Sequence, residues 1–138
     1  MVMYTEPERW VVVVDDDEST RELLVEALAL ARIRAVACES GDDALWVARR
    51  VRPAVVVTDL HMEGMDGLAL ARELSRLEHP PIVLALTGDR DVGVEVQRTF
   101  WALISKPANP LEVAAIVARL VHEPAAPKAT RRLARARR

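Results

Sequence analysis

Five times along this chain a short apolar run is followed by a stretch with helical spacing of its apolar positions. The runs are Val11–Val14, a weaker "IRAVAC" at 33–38, "AVVVT" at 54–58, "IVLAL" at 82–86 and "WALIS" at 101–105. A continuous apolar run, without polar alternation, marks a strand buried on both faces. Strands separated each time by a helix cannot form hairpins and must pair in parallel, with right-handed crossovers placing helices on both sides of the sheet. The pattern predicts an α/β fold: a doubly wound, five-stranded parallel sheet.

The helices carry their own signals. Ser19 with Glu22 reads as a capping box for "STRELLVEALALA", whose Leu24, Ala27, Leu28 and Ala31 share a face. Ser40 caps a helix over 41–51 with Ala44, Leu45 and Ala48 inward, and Pro53 stops it. Asp66 caps a helix running through Leu68, Ala71, Leu74 and Leu77. The stretch "VGVEVQRTF" alternates like a strand at Val92, Val94 and Val96, and Gly93 weakens a helix. Its place between two strands nevertheless predicts a short helix. Asn109 and Pro110 open the last helix, ending near Val121.

With 138 residues the chain fits one domain with a sizeable core. No apolar run approaches the ~20 residues of a membrane span, and "MVMYTEPERW" lacks the basic start and apolar centre of a signal peptide. The lone Cys38 has no intrachain partner and reads as a small buried strand residue. These features predict a cytoplasmic protein without membrane insertion. The net charge of −2 is uneven. Residues 123–138 hold Lys128, Arg131, Arg132, Arg135, Arg137 and Arg138 against Glu123, a sum of +5, which leaves −7 elsewhere. The expected organisation is an N-terminal extension at 1–8, a folded domain at 9–122 and a flexible basic tail at 123–138. Without interleaved aromatics that tail is expected not to bind DNA directly.

Function is written at the strand ends. In a doubly wound sheet of order 2-1-3-4-5, ligands bind beyond the carboxyl ends of the strands, where the first and third flank the switch point. Those ends here are Asp15-Asp16, Thr58-Asp59, Thr87-Gly88 and Ser105-Lys106. Three carboxylates would converge beside a hydroxyl and an ammonium. Like charges at close range repel, so such a cluster calls for a hard cation, and oxygen donors of this kind suit Mg²⁺.

The pieces "VVVVDDDESTRELL", "VVVTDLHMEGMDG", "LALTG" and "ISKPANPLEV", in this order and spacing, closely resemble the receiver domain of bacterial two-component response regulators over roughly residues 9–122. The resemblance implies a flavodoxin-like (βα)5 three-layer sandwich. It implies that Asp59 accepts a phosphoryl group from a histidine kinase or histidine phosphotransfer protein. Asp15 and Asp16 would be the metal-binding pair, with Asp59 and the main-chain carbonyl of His61 completing the protein ligands to Mg²⁺. Thr87 matches the hydroxyl that turns toward the phosphoryl oxygen, and Lys106 the lysine that pairs with Asp59 or its phosphate. The His61 side chain is expected in solvent. The chain would act as a stand-alone response regulator, a phosphoprotein switch rather than an enzyme, with an unidentified downstream protein partner and homodimerisation left open.

Five positions depart from the family pattern. Glu63 stands where proline is usual, Leu103 where a switching aromatic is common, and Ala108 where an aromatic often follows Lys-Pro. "RTFWAL" brings bulky Phe100 and Trp101 into the approach to the fifth strand, and Trp101 is expected on or near a partner surface. Two alternatives stand beside this reading. "VVVVDDDES" also fits a haloacid-dehalogenase-type phosphohydrolase with Asp15 as nucleophile and Asp17 as acid, although an Asp pair after the lysine is missing. The chain could also be a receiver-fold binding module that is not phosphorylated.

Overall fold

A computed structural model describes residues 9–122 and 131–133. The strands are β1 (Trp10–Val14), β2 (Arg34–Cys38), β3 (Val55–Asp59), β4 (Ile82–Thr87), β5 (Ala102–Ser105) and β6 (Arg131–Leu133). The helices are α1 (Glu18–Leu30), α2 (Gly41–Val51), α3 (Gly67–Leu74), α4 (Val94–Thr99) and α5 (Pro110–His122). The sheet is parallel throughout, in the order β2-β1-β3-β4-β5-β6. The first five strands hold the expected 2-1-3-4-5 order.

The sixth strand was not expected. Arg131–Leu133 lies in the segment read from its charge as a flexible tail, yet it pairs with β5, Ala102 opposite Arg131, Leu103 opposite Arg132 and Ile104 opposite Leu133. Residues 131–133 are three, too few for periodicity to register, and arginine carries no strand signal. Residues 1–8 and the rest of 123–138 fall outside the described residues.

Apart from β2, where only Cys38 is buried, the apolar runs are buried on both faces because helices cover both. Val11, Val13, Val55, Val57, Leu84, Leu86, Ala102 and Ile104 face α1 and α5 through Leu24, Leu28, Val113 and Val117. Val12, Val14, Val56, Ala85 and Leu103 face α2, α3 and α4 through Leu45, Leu70, Leu74 and Phe100. Each fully buried Val or Leu contributes about 1.5–3 kcal/mol of transfer free energy, so both layers are needed to hold the strand tips in place.

Local chemistry sets the helix starts. Ser40 accepts from the Asp43 N–H, Asp66 from the Ala69 N–H and Asn109 from the Leu111 N–H, as their positions predict. At α1 the expected capping box does not form. Asp17 is the cap, accepting from the Thr20 N–H at 2.9 Å and the Thr20 hydroxyl at 2.6 Å, so the helix begins ahead of Ser19. A carboxylate here faces the positive end of the helix dipole and outcompetes a serine two residues later. The third helix ends at Leu74, before the expected Leu77. The bulk of "RTFWAL" is core: Phe100 is fully buried in the α4-side layer. Trp101 packs half-buried against the α1–α5 layer. Leu103 is buried as well.

Candidate functional site

Parallel pairing in register brings the strand tips level. Val14 stands opposite Thr58, Asp59 opposite Leu86, and Thr87 opposite Ser105. The residues just after β1 and β5, with the last residues of β3 and β4, therefore meet at one edge. Asp15 and Asp59 are buried there and Asp16 is exposed, and one carboxylate oxygen from each lies within 4.8 Å of the others. The Lys106 ammonium reaches Asp59 Oδ2 at 3.0 Å. Thr87 is buried, and the Lys106 N–H donates to its carbonyl at 2.9 Å. The Lys106–Pro107 peptide is cis.

The acids are held by their surroundings. Asp15 Oδ1 accepts from the Asp17 N–H at 2.9 Å, and the Arg21 guanidinium donates to the Asp15 carbonyl at 2.8 Å. The buried Thr58 hydroxyl donates to the Asp59 carbonyl at 2.9 Å. Gly67 permits the loop after β3 to close: a Cβ there would lie 2.4 Å from the Asp59 carbonyl oxygen and 2.9 Å from Leu60 Cα.

Burial pushes the Asp15 carboxyl above the usual carboxylate range, and the Asp59 and Asp16 charges add to it. The Asp17 N–H and Lys106 oppose the shift without cancelling it. At ~5 Å and an effective dielectric near 20, each ionised pair costs about 3 kcal/mol. Asp15 Oδ2 is buried with no hydrogen-bond partner. A buried carboxylate oxygen left without a donor, next to two further carboxylates, fits a hard divalent cation bound through oxygen. The three acids could hold such an ion.

Of the residues singled out in the sequence, Asp15, Asp16, Asp59, Thr87 and Lys106 come together. His61 joins through its main chain, its N–H approaching Asp59 Oδ1 at 3.4 Å. Its imidazole is exposed at the rim, as expected, with Nε2 2.6 Å from Asp89 Oδ2. The Asp89 N–H in turn donates to the Thr87 hydroxyl oxygen at 3.0 Å. Asp89 and Arg21 escaped the sequence reading, and Thr58 was read there only as a strand end. Asp89 sits two residues past Thr87, as His61 sits two past Asp59, and that shared offset was the available signal. Asp17 points out of the site, committed to capping α1, which removes the acid a phosphohydrolase of the alternative type would need. Cys38 is buried, and burial pushes its thiol up to about 11, so it is no nucleophile at neutral pH.

Fold and site together define a flavodoxin-like α/β domain with an acidic, lysine-closed pocket at its sheet edge. The chain belongs to the response regulator receiver domain family, which matches residues 11–118. It is thus a receiver domain of two-component signalling. It is 34% identical over 112 residues to the DNA-binding transcriptional regulator NtrC of Salmonella typhimurium, covering 79% of this chain and 24% of NtrC. It is 32% identical over 111 residues to the transcriptional regulatory protein BaeR of Escherichia coli, covering 78% of this chain and 45% of BaeR. The chain therefore spans less than half the length of these relatives. Among solved structures, a CheY-like receiver domain from Methylobacillus flagellatus superposes with a TM-score of 0.74 at 26% identity, over 83% of this chain and 99% of that one. Among the described residues no helix is long and apolar enough to cross a membrane.

Proposed function

We propose that this receiver accepts a phosphoryl group on Asp59 from the phosphohistidine of a histidine kinase or histidine phosphotransfer protein, and that the phosphorylated form changes its binding to a downstream protein. The observation that carries the reading is the Lys106 ammonium, 3.0 Å from Asp59 Oδ2 at the edge of the three-carboxylate cluster. A carboxylate attacking phosphorus needs its charge balanced and its line of approach fixed more than it needs covalent help. An Asp59 oxygen forms the new bond to phosphorus as the bond to the histidine nitrogen breaks. The electron pair leaves with that nitrogen, which takes up a proton. Lys106 balances negative charge on the transferring group. Thr87, whose oxygen now accepts from Asp89, supplies a neutral hydroxyl donor once it turns toward the phosphoryl oxygens.

Asp15, Asp16, Asp59 and the His61 carbonyl would hold Mg²⁺, which when bound supplies the remaining positive charge. Water reverses the event by bonding to phosphorus as the Asp59 oxygen leaves, restoring the carboxylate. Between those events Asp59 carries ~1.5–2 added negative charges, enough to reset the loops around it.

Acetyl phosphate with Mg²⁺ tests the assignment. Wild type is expected to gain one phosphoryl mass, located on Asp59 after hydride reduction, and Asp59→Asn to gain none. Label on Asp15 would point to a phosphohydrolase. Equal labelling of wild type and Asp59→Asn would remove the phosphoacceptor role.

A further inference from the structure

Charge is uneven within the folded region as well. Residues 27–38 and 44–58 contain no acid, and Arg32, Arg34, Arg49, Arg50 and Arg52 among them are all exposed. The fold gathers these arginines. Arg34 opens β2 and stands opposite Trp10, the first residue of β1. Two residues beyond Arg52, the Ala54 N–H donates to the Trp10 carbonyl at 2.8 Å. The last turn of α2, with Arg49, Arg50 and the left-handed cap Arg52, therefore arrives at the amino end of β1 and β2. Along β1, Val11 faces α1 and Val12 faces α2, so Trp10 and the Arg34 opposite it share the α2 face. The carboxylate cluster lies at the other end of the same sheet.

Two indoles stand among these cations. The Arg34 guanidinium carbon is 5.6 Å from the Trp10 ring centroid, and that of Arg50 is 3.5 Å from the Trp46 ring centroid. Trp46 is 57% exposed. Arg50 Nη1 also donates to the Trp46 carbonyl at 2.9 Å, which fixes the guanidinium beside the ring. A guanidinium held in this way loses less freedom when its other N–H groups take an anion. Among the described residues no carboxylate pairs with Arg32, Arg49, Arg50 or Arg52. The dipole of α2 favours cations in its last turn. That accounts for Arg49 and Arg50, but not for Arg32 and Arg34 at the neighbouring strand or for an exposed indole beside them.

Arginines gathered without acids select a partner with several negative charges. An isolated phosphate would use the guanidinium groups and leave the indoles idle. A duplex offers phosphates but keeps its bases stacked on one another. A single strand offers both phosphates for guanidinium and base faces for indole, and RNA displays such strands in its loops and ends. We propose that the surface formed by the end of α2 and the start of β2 binds single-stranded RNA, with its arginines on the phosphates and Trp46 stacked on a base. The inference does not depend on phosphorylation at Asp59.

Fluorescence anisotropy of a labelled uridine strand of about 12 nucleotides, titrated with the full chain, is the test. Wild type is expected to bind it more tightly than a DNA duplex of the same length, and at least as tightly as a deoxythymidine strand. Arg49→Glu with Arg50→Glu is expected to weaken binding at least about tenfold and to make the slope of log affinity against log salt shallower by about 1.4. Trp46→Ala keeps every cation and is expected to weaken binding about tenfold. Arg135→Glu with Arg137→Glu, the same charge change in the basic C-terminal segment, is expected to weaken it less. No binding by wild type up to about 100 µM at about 50 mM salt overturns the proposal. So does a loss in the 135/137 variant equal to or greater than that in the 49/50 variant. Unchanged binding by Trp46→Ala, or equal binding of the duplex, would leave charge alone at work and overturns it too. Tighter binding to the deoxythymidine strand, or to phosphatidylglycerol vesicles, would give the surface to DNA or to a membrane instead.

Discussion

Replacing Asp15 with asparagine should stabilise this protein in the absence of divalent cation. In the folded state Asp15 is 1% exposed, with two carboxylates close by and one oxygen, Oδ2, lacking a donor. The substitution keeps Oδ1 for the Asp17 N–H and turns Oδ2 into an amide donor facing the other acids. It removes one buried charge and up to two repulsive pairs of about 3 kcal/mol each. The lost attraction to Lys106 and the energy of placing an amide there offset part of that, leaving a net gain of about 1–3 kcal/mol at pH 7.

The sign with pH follows from linkage. A carboxyl whose folded pKa is raised costs nothing below its unfolded value, because both states are protonated. Its penalty grows as pH rises from that unfolded value to the raised folded one, and is constant above. Urea unfolding with a chelator present should therefore show the variant ahead of wild type at pH 7 and the gap closing toward pH 4. Added Mg²⁺ should reverse the order, since a ligand at 100 times its Kd stabilises the form that binds it by ~2.7 kcal/mol and the variant has lost a ligand. An Asp15→Asn protein less stable than wild type at pH 7 without metal, or a gap that ignores pH, would refute the argument.

Three further outcomes follow from the packing. Gly67→Ala drives a Cβ to 2.4 Å from the Asp59 carbonyl and should cost about 2–4 kcal/mol in urea unfolding while lowering phosphoryl labelling, because the tip of β3 must move. Phe100→Ala should cost about 3–5 kcal/mol, the penalty of an emptied core site rather than of a trimmed surface; a loss under 1 kcal/mol would contradict its place in the core. The His61–Asp89 pair is solvent-accessible, with 67% and 44% of its side chains exposed, so a double-mutant cycle in unfolding should give a coupling below about 1 kcal/mol.

The five strands and the convergent site were legible because both depend on patterns that persist along the chain. Val11–Val14 and Val55–Val57 are too continuously apolar to be anything but doubly covered strands. The carboxylates at their ends cannot avoid one another once the order 2-1-3-4-5 is set. Helix starts were legible where a single residue decides, as at Ser40, Asp66 and Asn109. At α1 the capping box read at Ser19 gave way to Asp17, a charged acceptor two residues earlier. What stayed hidden rests on partners distant in sequence. The contact of His61 with Asp89 joins two loops 28 residues apart. The pairing of β6 has no periodicity of its own. The sequence showed Phe100 and Trp101 only as bulky residues before the fifth strand, and the packing of the two core layers shows what lies against each of them.

The site residues run from Asp15 to Lys106, yet they meet only through parallel pairings, each of which requires an intervening helix to return the chain. No fragment ending before β5 can possess the pocket, and an ion held there would be sensed by four strands at once. Cation binding is therefore a gauge of complete assembly: it would leave partly folded forms untouched, sharpen the unfolding transition, and register a loosened strand far from the acids as a loss of affinity.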